Sequence, residues 1–172
     1  MKKIALVAVF MALLAAPAFA EVQNIKLSGS LNVIGVQRNN FDLGSRTAFD
    51  SEQNIAVSQA ALNVNADLTD QVSATLGLIN ERVWGDASPS TTDGVDLYLA
   101  YITLREFLYS PLTIVAGRQT FHYGNSFIVD ATGQNNDAPA SSGLSGVAED
   151  LTSQSSMDAV RAILDYNPLV LE

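Results

Sequence analysis

A chain of 172 residues with 18 acidic against 9 basic side chains, a formal net charge of −9, is poorly suited to bind nucleic acid or an anionic lipid surface through bulk electrostatics. It has no cysteine, so neither a disulfide framework nor a lipid-modified thiol is possible. His122 is the single histidine, which argues against a transition-metal site built from His and Cys.

The first element is a targeting signal. Lys2 and Lys3 precede an almost unbroken apolar run from Ile4 to Ala16, and Pro17-Ala18-Phe19-Ala20 ends in the small-x-small pattern that signal peptidase reads. The run falls short of the roughly 20 apolar residues of a spanning helix. Residues 1–20 therefore read as a cleaved signal peptide and 21–172 as the exported part. Without Lys2 and Lys3 that part holds 7 basic and 18 acidic residues, a net of −11.

Beyond Glu21 apolar residues recur with period two, the mark of strands with two different faces. The spacing predicts a strand over 24–38, with Ile25, Leu27, Leu31 and Val33 on one face and Lys26, Ser28, Ser30, Asn32 and Arg38 on the other. A second is expected over 53–68, setting Ala56, Ala60, Leu62, Val64, Ala66 and Leu68 against Gln59, Asn63, Asn65 and Asp67. After a tight turn at Thr69-Asp70-Gln71, a third over 71–83 opposes Val72, Ala74, Leu76 and Leu78 to Ser73, Thr75 and Gly77. Valine, leucine, tyrosine and isoleucine suit 95–105 to a fourth strand, although its inward face is not readable. A fifth is expected over 112–121 and a sixth over 157–166, followed by a turn at Asn167-Pro168 and the start of a seventh.

The connections alternate between long (39–52, 84–94, 122–156) and short, as in an outer-membrane barrel with a periplasmic N-terminus. The expected fold is all-β, an antiparallel up-and-down transmembrane β-barrel, present as an incomplete sheet of about six to seven strands. The smallest single-chain membrane barrels have 8 strands, so residues 21–172 read as the N-terminal part of a longer protein, or as one contributor to a multichain barrel. The expected location is the bacterial outer membrane. Its lipid, the remaining barrel strands and a transported solute are the expected partners; nucleic acid is not.

Several stretches carry a family resemblance: Val22-Gln23-Asn24-Ile25-Lys26-Leu27-Ser28-Gly29 leading to Arg38-Asn39-Asn40-Phe41-Asp42, then Asn80-Glu81-Arg82-Val83-Trp84-Gly85 and Leu97-Tyr98-Leu99-Ala100-Tyr101, then Gly117-Arg118-Gln119 with Tyr123-Gly124-Asn125, and Asp158-Ala159-Val160-Arg161-Ala162. Together they resemble the N-terminal portion of the alginate export-like outer-membrane β-barrel family. The resemblance implies a porin- or exporter-type channel that passes a small or polymeric solute, saccharides among them, through an arginine-lined lumen. The acidic balance departs from a polyanion carrier, so alginate itself is not carried over.

Arg118 and Arg161 are the first candidates for the pore lining, because a charge facing lipid near the bilayer midplane costs roughly 2–4 kcal/mol. Arg161 has the parity for it, whereas Arg118 shares the parity of Leu112 and Ile114. There they are expected either to attract anions or to pair with Glu81 and Asp165 across strands, and Asn63 and Asn65 to share the polar face. Lys26 and Arg38, near strand ends, are expected to be solvated. Trp84 at one end, and Phe107, Tyr109 and Tyr166 at the other, are candidates for aromatic girdles. No catalytic motif, cofactor or metal site is expected. The competing reading places function in the long loops, as binders of a surface partner on a barrel scaffold.

Overall fold

The computed structural model describes residues 24–39, 52–85, 94–125 and 138–172. The signal peptide expected at 1–20 lies outside the described residues, as do residues 40–51, 86–93 and 126–137 of the long connections.

Seven strands form: β1 (Asn24–Asn39), β2 (Glu52–Asp67), β3 (Val72–Val83), β4 (Asp96–Leu104), β5 (Leu112–Gln119), β6 (Met157–Asp165) and β7 (Val170–Leu171). They pair antiparallel in chain order within one sheet. Register fixes the faces. Leu27 lies opposite Val64 and Leu31 opposite Ala60, Leu62 opposite Leu78 and Val64 opposite Leu76, and Ala116 opposite Val160, so the alternating apolar residues gather on one face. Ser28 opposite Asn63, Gln59 opposite Glu81 and Asn65 opposite Thr75 set the other. The β2–β3 turn closes through Leu68 N–H to the Val72 carbonyl at 2.8 Å, and the Thr69 hydroxyl accepts the Val72 N–H at 3.0 Å.

Strand β4 carries an irregularity. Gly77 pairs with Leu99 but Leu78 pairs with Leu97, which leaves Tyr98 as an extra residue. A bulge of this kind shifts the alternation by one. Tyr98 consequently reaches the polar face, where its hydroxyl donates to Asn63 Oδ1 at 2.7 Å.

The core sits on the polar side, and residues 138–156 build it. This segment folds back over β2 and β3, so that Ala138 and Leu144 pack with Val57 and Val83, flanked by Ile55, Val147 and Leu151. A 3-10 turn at Glu149–Leu151 lies within it. Arg38 anchors it from β1, donating to Asp150 through Nη1 and Nη2 at 2.6 and 3.0 Å and to Gln53 Oε1 at 2.7 Å.

This architecture corrects the barrel expectation. No ladder joins β7 to β1 among the described residues; the sheet is open, with β1 and β7 at its edges. The chain's own 138–156 segment fills part of the side that a lumen would occupy. An open sheet in hydrocarbon would leave strand-edge N–H and C=O groups unpaired at several kcal/mol each. The transmembrane-barrel fold, the channel function and the outer-membrane placement therefore fall together. So do the outer-membrane lipid and additional barrel strands expected as partners, and the alternative of loops on a barrel scaffold. Arg38, expected in solvent, is instead half-buried in an ion pair.

Candidate functional site

Glu81 organises the covered polar face. Period-two alternation directs it inward from β3, opposite Gln59, and the returning segment leaves it 2% exposed. A buried carboxylate must be hydrogen-bonded to avoid a large desolvation cost. Its Oε1 accepts from Gln59 Nε2 at 2.9 Å and from the Ser153 N–H at 2.7 Å. Its Oε2 accepts from the hydroxyls of Ser142 and Thr152, both at 2.7 Å, and from Gln154 Nε2 at 3.2 Å. Five donors converge on two oxygens, four of them from the returning 138–156 segment and one from β2.

Next to this knot the sheet opens. β4 pairs with β5 from Ala100 to Leu104, and no ladder pair joins Asp96–Leu99 to β5. A cavity of about 480 Å³ lies there, lined by Asp96, Leu97, Arg118, Ser141, Gln154 and Met157 among others. Gln154 Nε2 also donates to Asp96 Oδ2 at 3.2 Å, which links the cavity wall to the Glu81 knot.

Arg118 and Arg161 lie on opposite faces. Arg118, opposite Ala100 and Asp158, belongs to the apolar face. Its Nε and Nη2 donate to Asp158 at 2.9 and 3.0 Å, and this pairing holds the Asp158 carboxyl below the ordinary carboxylate range and raises Arg118. Arg161 lies on the polar face opposite Val115. It is paired with Glu172, and its guanidinium stands 5.4 Å from the Phe121 ring centre and 5.9 Å from that of Tyr123. The hydrogen bond from Arg161 lowers Glu172, while the bond from the Tyr123 hydroxyl to Glu172, at 2.9 Å, raises Tyr123. Neither arginine takes Glu81 or Asp165, the partners expected for them. Asp165 instead accepts the Asn167 N–H at 3.1 Å in the turn after β6.

The other sequence candidates fall into place around these groups. Asn63 accepts from Tyr98, and Asn65 Oδ1 accepts from the Thr75 hydroxyl at 2.8 Å. Trp84, exposed at the end of β3, borders a shallow groove with Gly35, Gln37 and Asn54. Phe107, Tyr109 and Tyr166 are exposed at the opposite end of the sheet, where a bond to Tyr166 raises the Tyr109 phenol. Their assignment as girdles presupposed a closed barrel in a bilayer.

Ser142, Thr152, Gln154 and Asp96 are not among the residues that the sequence singles out. A signal for the returning segment exists nonetheless: Leu144, Val147, Ala148 and Leu151 recur at i, i+3, i+4 and i+7, an apolar spacing foreign to a solvated loop. No group of three or more His, Cys, Asp or Glu residues suited to a metal ion occurs among the described residues.

A scan against protein-family models finds none that matches this chain, and a search of the curated proteins finds no match. The resemblance to alginate export-like proteins thus has neither a matching family model nor a closed barrel behind it.

Proposed function

We propose that this chain is a non-enzymatic interaction module: an open β-sheet that buries its apolar face against an apolar partner surface, while the opposite face is closed in part by its own chain. The apolar face carries the proposal. Ile25, Leu27, Leu31 and Val33 of β1 adjoin Leu62, Leu76 and Leu78 of the next two strands, with exposures between 39% and 72%. Monomeric proteins rarely leave contiguous apolar patches beyond a few hundred Å² uncovered, and larger ones mark interaction sites. Covering these seven half-exposed side chains would contribute on the order of 10 kcal/mol before the costs of association. The non-enzymatic part is supported by Glu81, whose two oxygens are fully engaged by donors and so are poorly placed for proton transfer.

The test combines sedimentation with uptake of a hydrophobic fluorescent dye, using the full chain and a variant with Leu27→Asn, Leu31→Asn and Leu62→Asn. The parent is expected to self-associate or take up dye, and the variant to lose at least about fivefold of that signal. A parent that stays monomeric and takes up no dye would overturn the reading.

A further inference from the structure

The cavity at the β4–β5 opening combines features that the apolar-face reading does not use. Its volume of about 480 Å³ lies within the range of small-molecule sites, roughly 300–1,000 Å³. An acid and a base both line it. Asp96 Oδ2 accepts from Gln154, which leaves Oδ1 available to accept from a ligand. Arg118 gives Nε and Nη2 to Asp158, while its Nη1 makes only a long 3.4 Å contact with the Leu97 carbonyl. The guanidinium is thus held rigidly by one carboxylate with one corner still able to donate. Leu97 and Met157 supply apolar wall, and Ser141 a hydroxyl.

We propose that this cavity binds a free α-amino acid with an apolar side chain of medium size. Asp96 receives the ammonium group, Arg118 Nη1 donates to the carboxylate, and the side chain rests on Leu97 and Met157. An anion alone would face the Asp96 carboxylate, and a simple cation would leave the Nη1 corner of Arg118 without an acceptor. A zwitterion gives the free oxygen of Asp96 a charged donor and the free corner of Arg118 a charged acceptor, and charge-assisted hydrogen bonds are the stronger kind. Asp158 serves as a positioning residue, since it fixes the orientation of the guanidinium.

The experiment is calorimetric titration of the full chain with L-leucine and L-methionine, set beside L-leucinamide, which lacks the carboxylate, and N-acetyl-L-leucine, which lacks the ammonium group. The free amino acids are expected to bind, and each blocked derivative to bind at least about tenfold more weakly, a difference of about 1.4 kcal/mol. D96N is expected to abolish the preference for a free ammonium group, and R118Q the preference for a free carboxylate. No heat with either amino acid, or equal affinity for the blocked derivatives, overturns the proposal, and the ligand series decides this even where a variant fails to fold. The Leu27, Leu31 and Leu62 variant should retain binding, so the outcome is separable from that of the apolar-face experiment.

Discussion

A single carboxylate holds the covered side of this sheet. Glu81 is acceptor-only, and every one of its five partners is a donor, so substituting an amide would turn an N–H₂ toward donors. Glu81→Gln is therefore expected to destabilise the fold by about 2–4 kcal/mol. Amide hydrogen exchange should show the loss first at Leu144 and Ser153, whose N–H groups depend on the knot. Unchanged protection there would mean that apolar packing alone holds the segment. The ion pairs set a pH dependence whose sign follows from their carboxylates. Arg38 lowers Asp150 and Arg161 lowers Glu172 through hydrogen bonds. A carboxyl group depressed by folding contributes its stability above its unfolded pKa, about 4, and loses it as the pH falls through the lower folded value. Denaturant midpoints should be level near neutrality and fall below about pH 4. The fall should be shallower in Arg38→Ala, although the exposure of Asp150 keeps that contribution under about 1 kcal/mol.

Among the elements, β4 and β5 show most clearly what local pattern dictates and where it stops. Gly117 has φ +126°, and a Cβ there would meet the Ala100 carbonyl oxygen at 2.2 Å and the Tyr101 Cα at 2.8 Å. Gly117→Ala is expected to cost at least about 2 kcal/mol and to disturb the β4–β5 ladder that borders the cavity; thermal unfolding measures it. The faces of β1, β2 and β3 are legible in the sequence because uninterrupted ladders preserve period two over eleven or more pairs. The face of β4 is not, because the bulge at Tyr98 breaks the alternation within a nine-residue strand. The parity of Arg118 with Leu112 and Ile114 correctly marks the apolar face, yet its partner Asp158 arises from register with a strand forty residues away. The segment 138–156 is rich in glycine and serine and so reads as solvated loop. Its apolar periodicity matters only once Val57 and Val83 are in place to receive it.

At the scale of the whole molecule, the two sides of the sheet are treated unequally. One side is sealed in part by a distant stretch of the same chain, while the other presents Leu31 and Val160 at 72% and 73% exposure. Alternation alone is compatible with either a closed barrel or an open sheet, because both need one apolar and one polar face; closure depends on whether the first and last strands meet, which no local pattern encodes. The donors to Glu81 also lie far along the chain, from Ser142 at 61 residues to Gln154 at 73 residues beyond it. At synthesis rates of about 5–20 residues per second, the carboxylate and its neighbours wait about 3–15 seconds for the chain that will cover them. Of the donors to Glu81, Gln59 alone is already present at that stage. A late segment thus locks the first hairpins, and until it arrives the sheet lacks its main hydrogen-bond knot.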